Sequence, residues 1–159
     1  MDVDFREWAA VRLPALLRYA HLLTGDRHQA EDVVQTALVR MLVAWPRVQR
    51  KDDPEGYARR TITRLAIDSR KARWRERLTD APPERPVGPA PDEDRWEMWE
   101  ALAALPRRQR AVVVLRYYED LSEEQIADVL GCSRGTVKSQ ASKALAKLRA
   151  RFEAAEVAR

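Results

Sequence analysis

The chain has 159 residues, of which 45% are hydrophobic and 34% charged, and its formal net charge is +4. These fractions are typical of a folded soluble protein and exclude a largely disordered chain. Its apolar runs are far shorter than the roughly 20 residues that cross a bilayer, and the acidic start MDVDFREW lacks the order of a secretion signal. Because the single cysteine, Cys132, cannot form an internal disulfide, we expect a cytoplasmic protein.

The first stretch with helical periodicity is FREWAAVRLPALLRYAHLLTG, in which Pro14 marks a start or a kink. Its apolar positions are Trp8, Leu13, Leu16, Leu17, Ala20 and Leu23. Gly25 is expected to end this helix, and Asp26 to cap the next one. Pro46 is expected to stop that second helix, whose apolar side comprises Ala30, Val33, Val34, Ala37, Leu38, Met41 and Trp45.

A polar loop, RVQRKDD, leads through Pro54 into a predicted third helix from about Glu55 to Arg75. Its core side is predicted to be Ala58, Ile62, Leu65, Ala66 and Ser69. The opposite stripe mixes cations with an aromatic ring and consists of Arg60, Arg64, Ile67, Lys71 and Trp74. Such a stripe suits phosphate contact with base stacking, although Trp74 could equally cover an edge of the core.

A change of composition divides the chain. Five prolines lie between Ala81 and Pro91, and residues 79–94 contain five acids but only one base. Basic segments flank this acidic stretch, which indicates two contacts with a polyanion. We therefore predict an all-α protein with two small helical domains, 1–78 and 95–159, joined by a flexible Pro-rich acidic linker at 79–94.

The second half begins with DEDRWEMWEALAALP, whose expected buried stripe is Trp96, Trp99, Leu102 and Leu105. PRRQRAVVVLRYYED follows, with its apolar positions at Val112, Val113 and Leu115, and it ends at a polar break.

The next segment, LSEEQIADVLGCSRGTVKSQASKALAKL, has the signals of a helix-turn-helix. Ser122 and Gln125 form a capping-box pattern, Gly131 permits a left-handed turn, and Ser133 can cap the second helix. The expected inward-facing residues are Ile126, Ala127, Leu130, Val137, Ala141, Ala144, Leu145 and Leu148.

With that side buried, the free face of the second helix carries Lys138, Ser139, Ser142 and Lys143. Such a helix fits the major groove of DNA, and the amides near Arg134, Gly135 and Thr136 are expected to be open to a phosphate. The segment Gly131–Arg151 contains six cations and no acid, which favours DNA binding over a plain helical hairpin.

No pattern for catalysis or for a cofactor is present. His21 and His28 lie on different predicted elements without other ligands at metal spacing, so we expect no metal site. Cys132 is expected to be a small packed residue rather than a nucleophile. The chain also lacks a phosphate-cradling glycine loop and a serine-histidine-acid arrangement, so we expect a protein that is not an enzyme.

Three segments resemble the extracytoplasmic-function (ECF, group 4) sigma factors of bacterial RNA polymerase. AEDVVQTALVRMLVAW resembles their core-binding segment, and DPEGYARRTITRLAIDSRKAR resembles their promoter-opening, −10-reading helix. LPRRQRAVVVLRYYEDLSEEQIADVLGCSRGTVKSQASKAL resembles their −35-reading domain. The likeness covers nearly the whole chain apart from the linker.

This resemblance implies a role for each matching position. Asp32 and Gln35 would bind the coiled coil of the polymerase β′ subunit, and the loop 49–55 would capture a flipped −10 base. The −10 duplex would meet Arg60, Arg64, Asp68 and Lys71. The −35 element would be read by Lys138, Ser139, Ser142 and Lys143, with Arg134, Thr136 and Gln140 nearer the DNA backbone.

The same resemblance implies partners. They are bacterial core RNA polymerase, with the second domain on the flap of the β subunit, and promoter DNA; an anti-sigma factor is a further candidate, and no membrane insertion is expected. Because only FEAAEVAR follows the helix-turn-helix, we expect no C-terminal sensory extension.

Other classes of protein remain open on the residues alone. A stand-alone regulator would use the first half for dimerisation or ligand sensing and would bind a two-fold symmetric site without polymerase. A recombinase or transposase fragment would need catalytic residues on strands, which the pattern lacks. A pure protein-interaction module would have little use for so basic a helix.

Overall fold

The structure, a computed structural model, describes residues 4–50, 53–68 and 93–158. All regular structure in these ranges is helical, which confirms the predicted all-α class. The chain forms two compact units; among the described residues, the first contains three helices and the second contains four. The predicted linker lies outside the described residues apart from its last two positions, Glu93 and Asp94, which begin a helix.

The first unit is a bundle of α1 (Phe5–Thr24), α2 (Arg27–Arg50) and α3 (Pro54–Asp68), each packed against the other two. Its core contains Leu16, Tyr19, Ala20, Val34, Met41 and Ile62, all almost fully buried. The Tyr19 hydroxyl lies 2.8 Å from the Thr63 hydroxyl, and Thr63 in turn donates to the Arg59 carbonyl. This polar link joins α1 to α3 inside an apolar core, where a buried hydroxyl needs a partner.

The turn between α1 and α2 is built as predicted. Gly25 has a φ of 70°, a left-handed conformation that glycine adopts without steric cost, and its amide donates to the His21 carbonyl. The Asp26 carboxylate then accepts hydrogen bonds from the amides of His28 and Gln29. Both predicted helix boundaries at this turn are therefore confirmed.

Two prolines of the first unit lie inside helices, whereas a third, Pro54, begins α3. Pro14 lies inside α1, which starts at Phe5, and Pro46 lies inside α2, so the predicted stop at Pro46 is wrong. The helix continues because Val48 is buried beyond the proline, and because the Trp45 ring packs against the rings of Phe5 and Trp8. This packing offsets the one backbone hydrogen bond that proline removes.

The second unit comprises α4 (Glu93–Ala103), α5 (Arg107–Val113), α6 (Glu123–Leu130) and α7 (Arg134–Val157). A π-helical turn, Val114–Tyr118, extends α5, and Asp120 then takes a positive φ of 54°. The core of the helix-turn-helix consists of Val112, Leu115, Ile126, Ala127, Val129 and Val137. Leu121, Leu130, Cys132 and Ala141 pack against it, so the packed role predicted for Cys132 is confirmed.

Local capping fixes α6 and α7. The Ser122 hydroxyl accepts from the Gln125 amide while the Gln125 side chain accepts from the Ser122 amide, so the predicted capping box is present. Gly131 has a φ of 67° and ends α6, and Ser133 caps α7. The Cys132 amide donates back to the Ala127 carbonyl, which closes the turn between the two helices.

Four predicted core positions of this unit are not fully buried, and two of them, Leu130 and Ala141, are half-buried against the core. Val137, Ala144 and Leu148 are buried, but Leu145 is 37% exposed because it lies beside that stripe, where no helix of the described residues covers it. Trp96 is half-buried, whereas Trp99, Leu102 and Leu105 are buried as predicted.

Candidate nucleic-acid interface

The exposed side of α7 is the strongest candidate for contact with a polyanion. Its buried stripe faces α5 and α6, which leaves the opposite side to solvent. The predicted reading residues Lys138, Ser139, Ser142 and Lys143 are all exposed. Two cations and two small hydroxyl side chains on one convex helix have the shape and chemistry for a major groove.

The predicted backbone contacts at the start of α7 are less uniform. Arg134 is exposed, but Thr136 and Gln140 are half-buried. The Thr136 amide donates to the Ser133 hydroxyl at 3.1 Å, so this amide is not open to a phosphate, contrary to expectation. The reason is the N-cap itself, which uses the amide that points back toward Ser133.

An acidic residue missed by sequence reasoning lies beside these cations. Glu123, in the first turn of α6, places its Oε2 3.9 Å from Nη2 of Arg134 and 3.9 Å from Nζ of Lys138. The sequence gives no signal for this contact, because it depends on how the two helices of the motif cross. The carboxylate shares its charge between two cations of the candidate reading helix.

A second candidate surface lies on α3. The side chains of Arg60, Arg64 and Asp68 are exposed, as a nucleic-acid contact requires. Ile67, predicted on the same stripe, is buried at 9% exposure because its side of α3 packs into the bundle. The other two members of the predicted stripe, Lys71 and Trp74, and the predicted core residue Ser69 lie outside the described residues.

The start of α3 positions one of these arginines. The Asp53 carboxylate accepts a hydrogen bond from the Gly56 amide at 3.0 Å and lies 3.6 Å from Nη1 of Arg60. A Cβ at Gly56 would collide with this carboxylate, so the glycine makes room for the cap. Asp53 therefore ties the beginning of the helix to a cation on its exposed side.

The loop predicted at 49–55 is shorter than expected. Gln49 and Arg50 belong to α2, and Glu55 belongs to the first turn of α3. Glu55 also forms ion pairs with Arg12 on α1 and with Arg59 one turn along α3, at 3.4 Å and 3.1 Å. Residues 51 and 52 lie outside the described residues, so only Asp53 of the loop proper is described.

The exposed face of α2 differs in chemistry from both basic surfaces. Asp32 and Gln35, predicted to bind a partner, are exposed. Val39 and Leu42 continue the same line along the helix and are 63% and 55% exposed, with Val43 beside them at 81%. Sequence reasoning missed these three apolar residues, although the spacing of 32, 35, 39 and 42 places them on one helical stripe. Exposed aliphatic side chains in such a row mark a surface for a protein partner.

Two further observations limit the chemistry. Within residues 4–50, 53–68 and 93–158, no group of three or more His, Cys, Asp or Glu side chains is placed to hold a metal ion. Over the same residues, every helix is too short or too polar to cross a membrane.

Comparisons with known proteins show which family the chain resembles. Residues 10–76 match the family model described as Sigma-70 region 2, and residues 95–148 match the one described as Sigma-70, region 4. The RNA polymerase sigma-E factor of Streptomyces coelicolor is 40% identical over 154 residues, covering 92% of this chain and 85% of that protein. The ECF RNA polymerase sigma factor SigL of Mycobacterium tuberculosis is 40% identical over 160 residues, covering 94% of this chain and 86% of SigL.

A solved structure has the same fold. It is the sigma factor RpoE from Bartonella quintana, in complex with the anti-sigma factor NepR, with a TM-score of 0.71 and 24% sequence identity. The match covers 94% of this chain and 97% of that one. The two family models and the relatives at 40% identity identify the family: the chain belongs to the extracytoplasmic-function (group 4) sigma factors of bacterial RNA polymerase, within the sigma-70 family.

Proposed function

We propose that this sigma factor reads the −35 element with the exposed side of α7, meets the −10 element with the exposed side of α3, and docks on core polymerase through α2. Sigma factors are non-catalytic initiation factors that bind core RNA polymerase and direct it to promoters, reading −35 and −10 elements and helping to open the DNA. The assignment of these tasks to named residues is supported by the resemblance and by the exposure of their side chains.

The −35 assignment depends chiefly on one observation: the solvent face of the capped α7 carries Lys138, Ser139, Ser142 and Lys143 together. Lysine ammonium groups attract phosphates and can donate to guanine, and serine hydroxyls can donate to or accept from any base edge. Arg134, Thr136 and Gln140 lie at the flanks of this face, nearer to the DNA backbone. The half-burial of Thr136 and Gln140 suits a supporting contact more than base reading.

The −10 assignment is supported by the exposed charges of α3. Arg60 and Arg64 are one turn apart and can contact neighbouring phosphates, and Lys71 would continue that line. Asp68 is exposed and can accept from a base amino group. A base captured by the residues between α2 and α3 would help to open the duplex, because trapping an unstacked base shifts an equilibrium of only a few kcal/mol.

The docking assignment is supported by the chemistry of the α2 face. Asp32 and Gln35 offer polar contacts to the β′ coiled coil, and the adjoining apolar row of Val39, Leu42 and Val43 offers burial. The second unit would sit on the β flap. The predicted domain limits, 1–78 and 95–159, fit this division of tasks once the second domain is extended to Glu93, where α4 begins.

Location and regulation follow from the partners. A protein that works on RNA polymerase acts in the cytoplasm. The related fold from Bartonella quintana was solved in complex with an anti-sigma factor, and we propose that a protein of that kind also binds this chain.

Replacing Lys138 and Lys143 together by alanine tests the proposed reading helix. We expect the variant to lose −35-dependent run-off transcription by at least about tenfold, because it removes cationic contacts that supply both affinity and discrimination. Binding to core polymerase should stay at the parental level.

The matched control replaces Lys147 and Arg149, two exposed cations farther along the same helix, by alanine. It removes the same charge but leaves the proposed base-reading positions intact. Equal transcription from the parent and the Lys138/Lys143 variant, or an equal loss in the control, would show that α7 reads the −35 element elsewhere or not at all.

A further inference from the structure

One carboxylate of the second unit faces the proposed reading helix and does none of the tasks assigned so far. Glu123 lies at the start of α6, with its side chain 29% exposed, and its Oε2 is 3.9 Å from a nitrogen of both Arg134 and Lys138. These two cations are one turn apart on α7, and their side chains are 63% and 64% exposed. Glu123 therefore bridges the two helices of the motif on the side where DNA would lie.

A purely structural role explains this arrangement poorly. Both separations exceed hydrogen-bond length, so the attraction is one of charge. Ion pairs between exposed side chains shift a folding equilibrium by no more than about fivefold each. The caps at Ser122 and Ser133 and the apolar core already hold α6 against α7. The position of Glu123 therefore affects which groups Arg134 and Lys138 can contact more than it affects the stability of the fold.

The neighbouring residue makes the contrast clear. Glu124 has the same charge one position later and is exposed, yet it forms no ion pair with any residue of the described ranges. An acid next to a DNA-reading face repels phosphates wherever it lies. Of these two acids, only Glu123 lies close enough to Arg134 and Lys138 to compete with phosphates for them.

We propose that Glu123 is a positioning residue for promoter recognition, which holds Arg134 and Lys138 in place on α7 and competes with DNA phosphates for both. This inference rests on the proposed −35-reading role of α7. On random DNA the two cations must leave the carboxylate to reach phosphates, so Glu123 weakens that binding. At the correct −35 element the two cations already lie where their contacts form, so leaving the carboxylate costs less free energy. Discrimination between the correct element and random DNA therefore rises.

The test is the variant Glu123→Gln in the full chain, assembled with core polymerase. The binding of this assembly is measured over a series of KCl concentrations on two DNA fragments. One carries a promoter identified by run-off transcription, and the other is the same fragment with its −35 element shuffled. We expect affinity for the shuffled fragment to rise about two- to tenfold, and affinity for the promoter to change less than about twofold. The dependence of log K on log salt should steepen by about 1 for each cation released, up to about 2.

Glu124→Gln is the matched control, because it removes the same charge one residue away. It should leave both the discrimination and the salt dependence close to those of the parent. The inference is overturned when the two variants behave alike. It is also overturned when Glu123→Gln weakens promoter binding without changing the salt dependence, since Glu123 would then contact a base, such as the amino group of cytosine, directly.

A second variant guards against a loss of folding. Glu123→Gln combined with Lys138→Gln keeps the parental net charge, and glutamine is a good helix former at both positions. Only Arg134 is then released, so the salt dependence should steepen by about 1 relative to the parent, half of the largest change expected for Glu123→Gln alone; an undiminished steepening of about 2 would contradict the proposal. Loss of transcription in the Lys138/Lys143 variant, with no effect of Glu123→Gln, would reject this inference alone and leave the proposed reading helix standing.

Discussion

Arg110 shows how a single charged side chain can hold an element in place. It is only 3% exposed, and its guanidinium donates hydrogen bonds of 2.9–3.0 Å to the carbonyl oxygens of Leu102, Ala103 and Leu105. These carbonyls lie at the end of α4 and just beyond it, where the helix cannot supply partners of its own. The planar fork of arginine can serve several acceptors at once, which lysine cannot. Arg110 thereby fixes the turn from α4 into α5.

We predict that Arg110→Ala lowers the free energy of unfolding of the second unit by about 3 kcal/mol, since it removes the side-chain donor from the carbonyls of Ala103 and Leu105 and leaves Leu102 with only the Leu105 amide. That is a large share of the stability of a small domain. Hydrogen exchange of the amides of α5 to α7 should accelerate while exchange in the first unit stays unchanged. Arg108→Ala, which removes an exposed arginine two residues earlier, serves as the control and should have little effect. Similar protection in both variants would mean that the Arg110 hydrogen bonds add nothing net.

Residues whose role is local were predictable, and those whose role depends on packing were not. Ser122, Gln125 and Gly131 act on backbone groups a few positions away, so their spacing alone identifies them. Arg110 lies in the segment PRRQR, which looks like a solvated face, and only the end of α4 shows why it is buried. The contact of Glu123 with two cations on α7 likewise requires the crossing of two helices.

At the scale of elements, periodicity predicted every described helix but misjudged where some end. The predicted stop at Pro46 failed, because tertiary contacts carry α2 past the missing hydrogen bond, and Pro14 does not start α1. The face of α2 was recognised only at its polar part, Asp32 and Gln35. Its apolar part was missed because an exposed Val39 and a buried Met41 look alike in sequence, and only the packed bundle separates them.

The apolar row on α2 leads to a prediction about core polymerase. We expect Val39→Glu to weaken the binding of core polymerase by about tenfold or more, because a charge in the centre of a docking face stays desolvated and unpaired. Affinity is best measured by titrating fluorescently labelled core with the full chain. Val11→Glu, the same change at a residue 76% exposed on α1, provides the matched control. If both variants bind core as the parent does, the docking face lies elsewhere.

At the scale of the whole molecule, two small units share the work of promoter recognition. Each offers only a few groove contacts, and a single bidentate base contact adds roughly 1–3 kcal/mol of discrimination. Two weak contacts become specific when a larger platform fixes their separation, because the second contact then forms at a high effective concentration. Core polymerase is a platform of that kind. We therefore expect core polymerase, rather than the stretch predicted as a linker, to set that distance.

This division of labour predicts how the protein responds to a longer linker. We expect an insertion of glycine and serine residues between Val87 and Gly88 to leave unchanged the spacing between −35 and −10 elements that gives most transcription. Doubling the length of a flexible connection costs only about 0.6 kcal/mol, so the level of transcription should fall by no more than about threefold. The measurement is run-off transcription on a series of promoters that differ only in spacer length, with an insertion of equal length but rich in proline as the control. If the preferred spacing moved with the length of the insertion, the linker and not the polymerase would be setting the distance between the two readers.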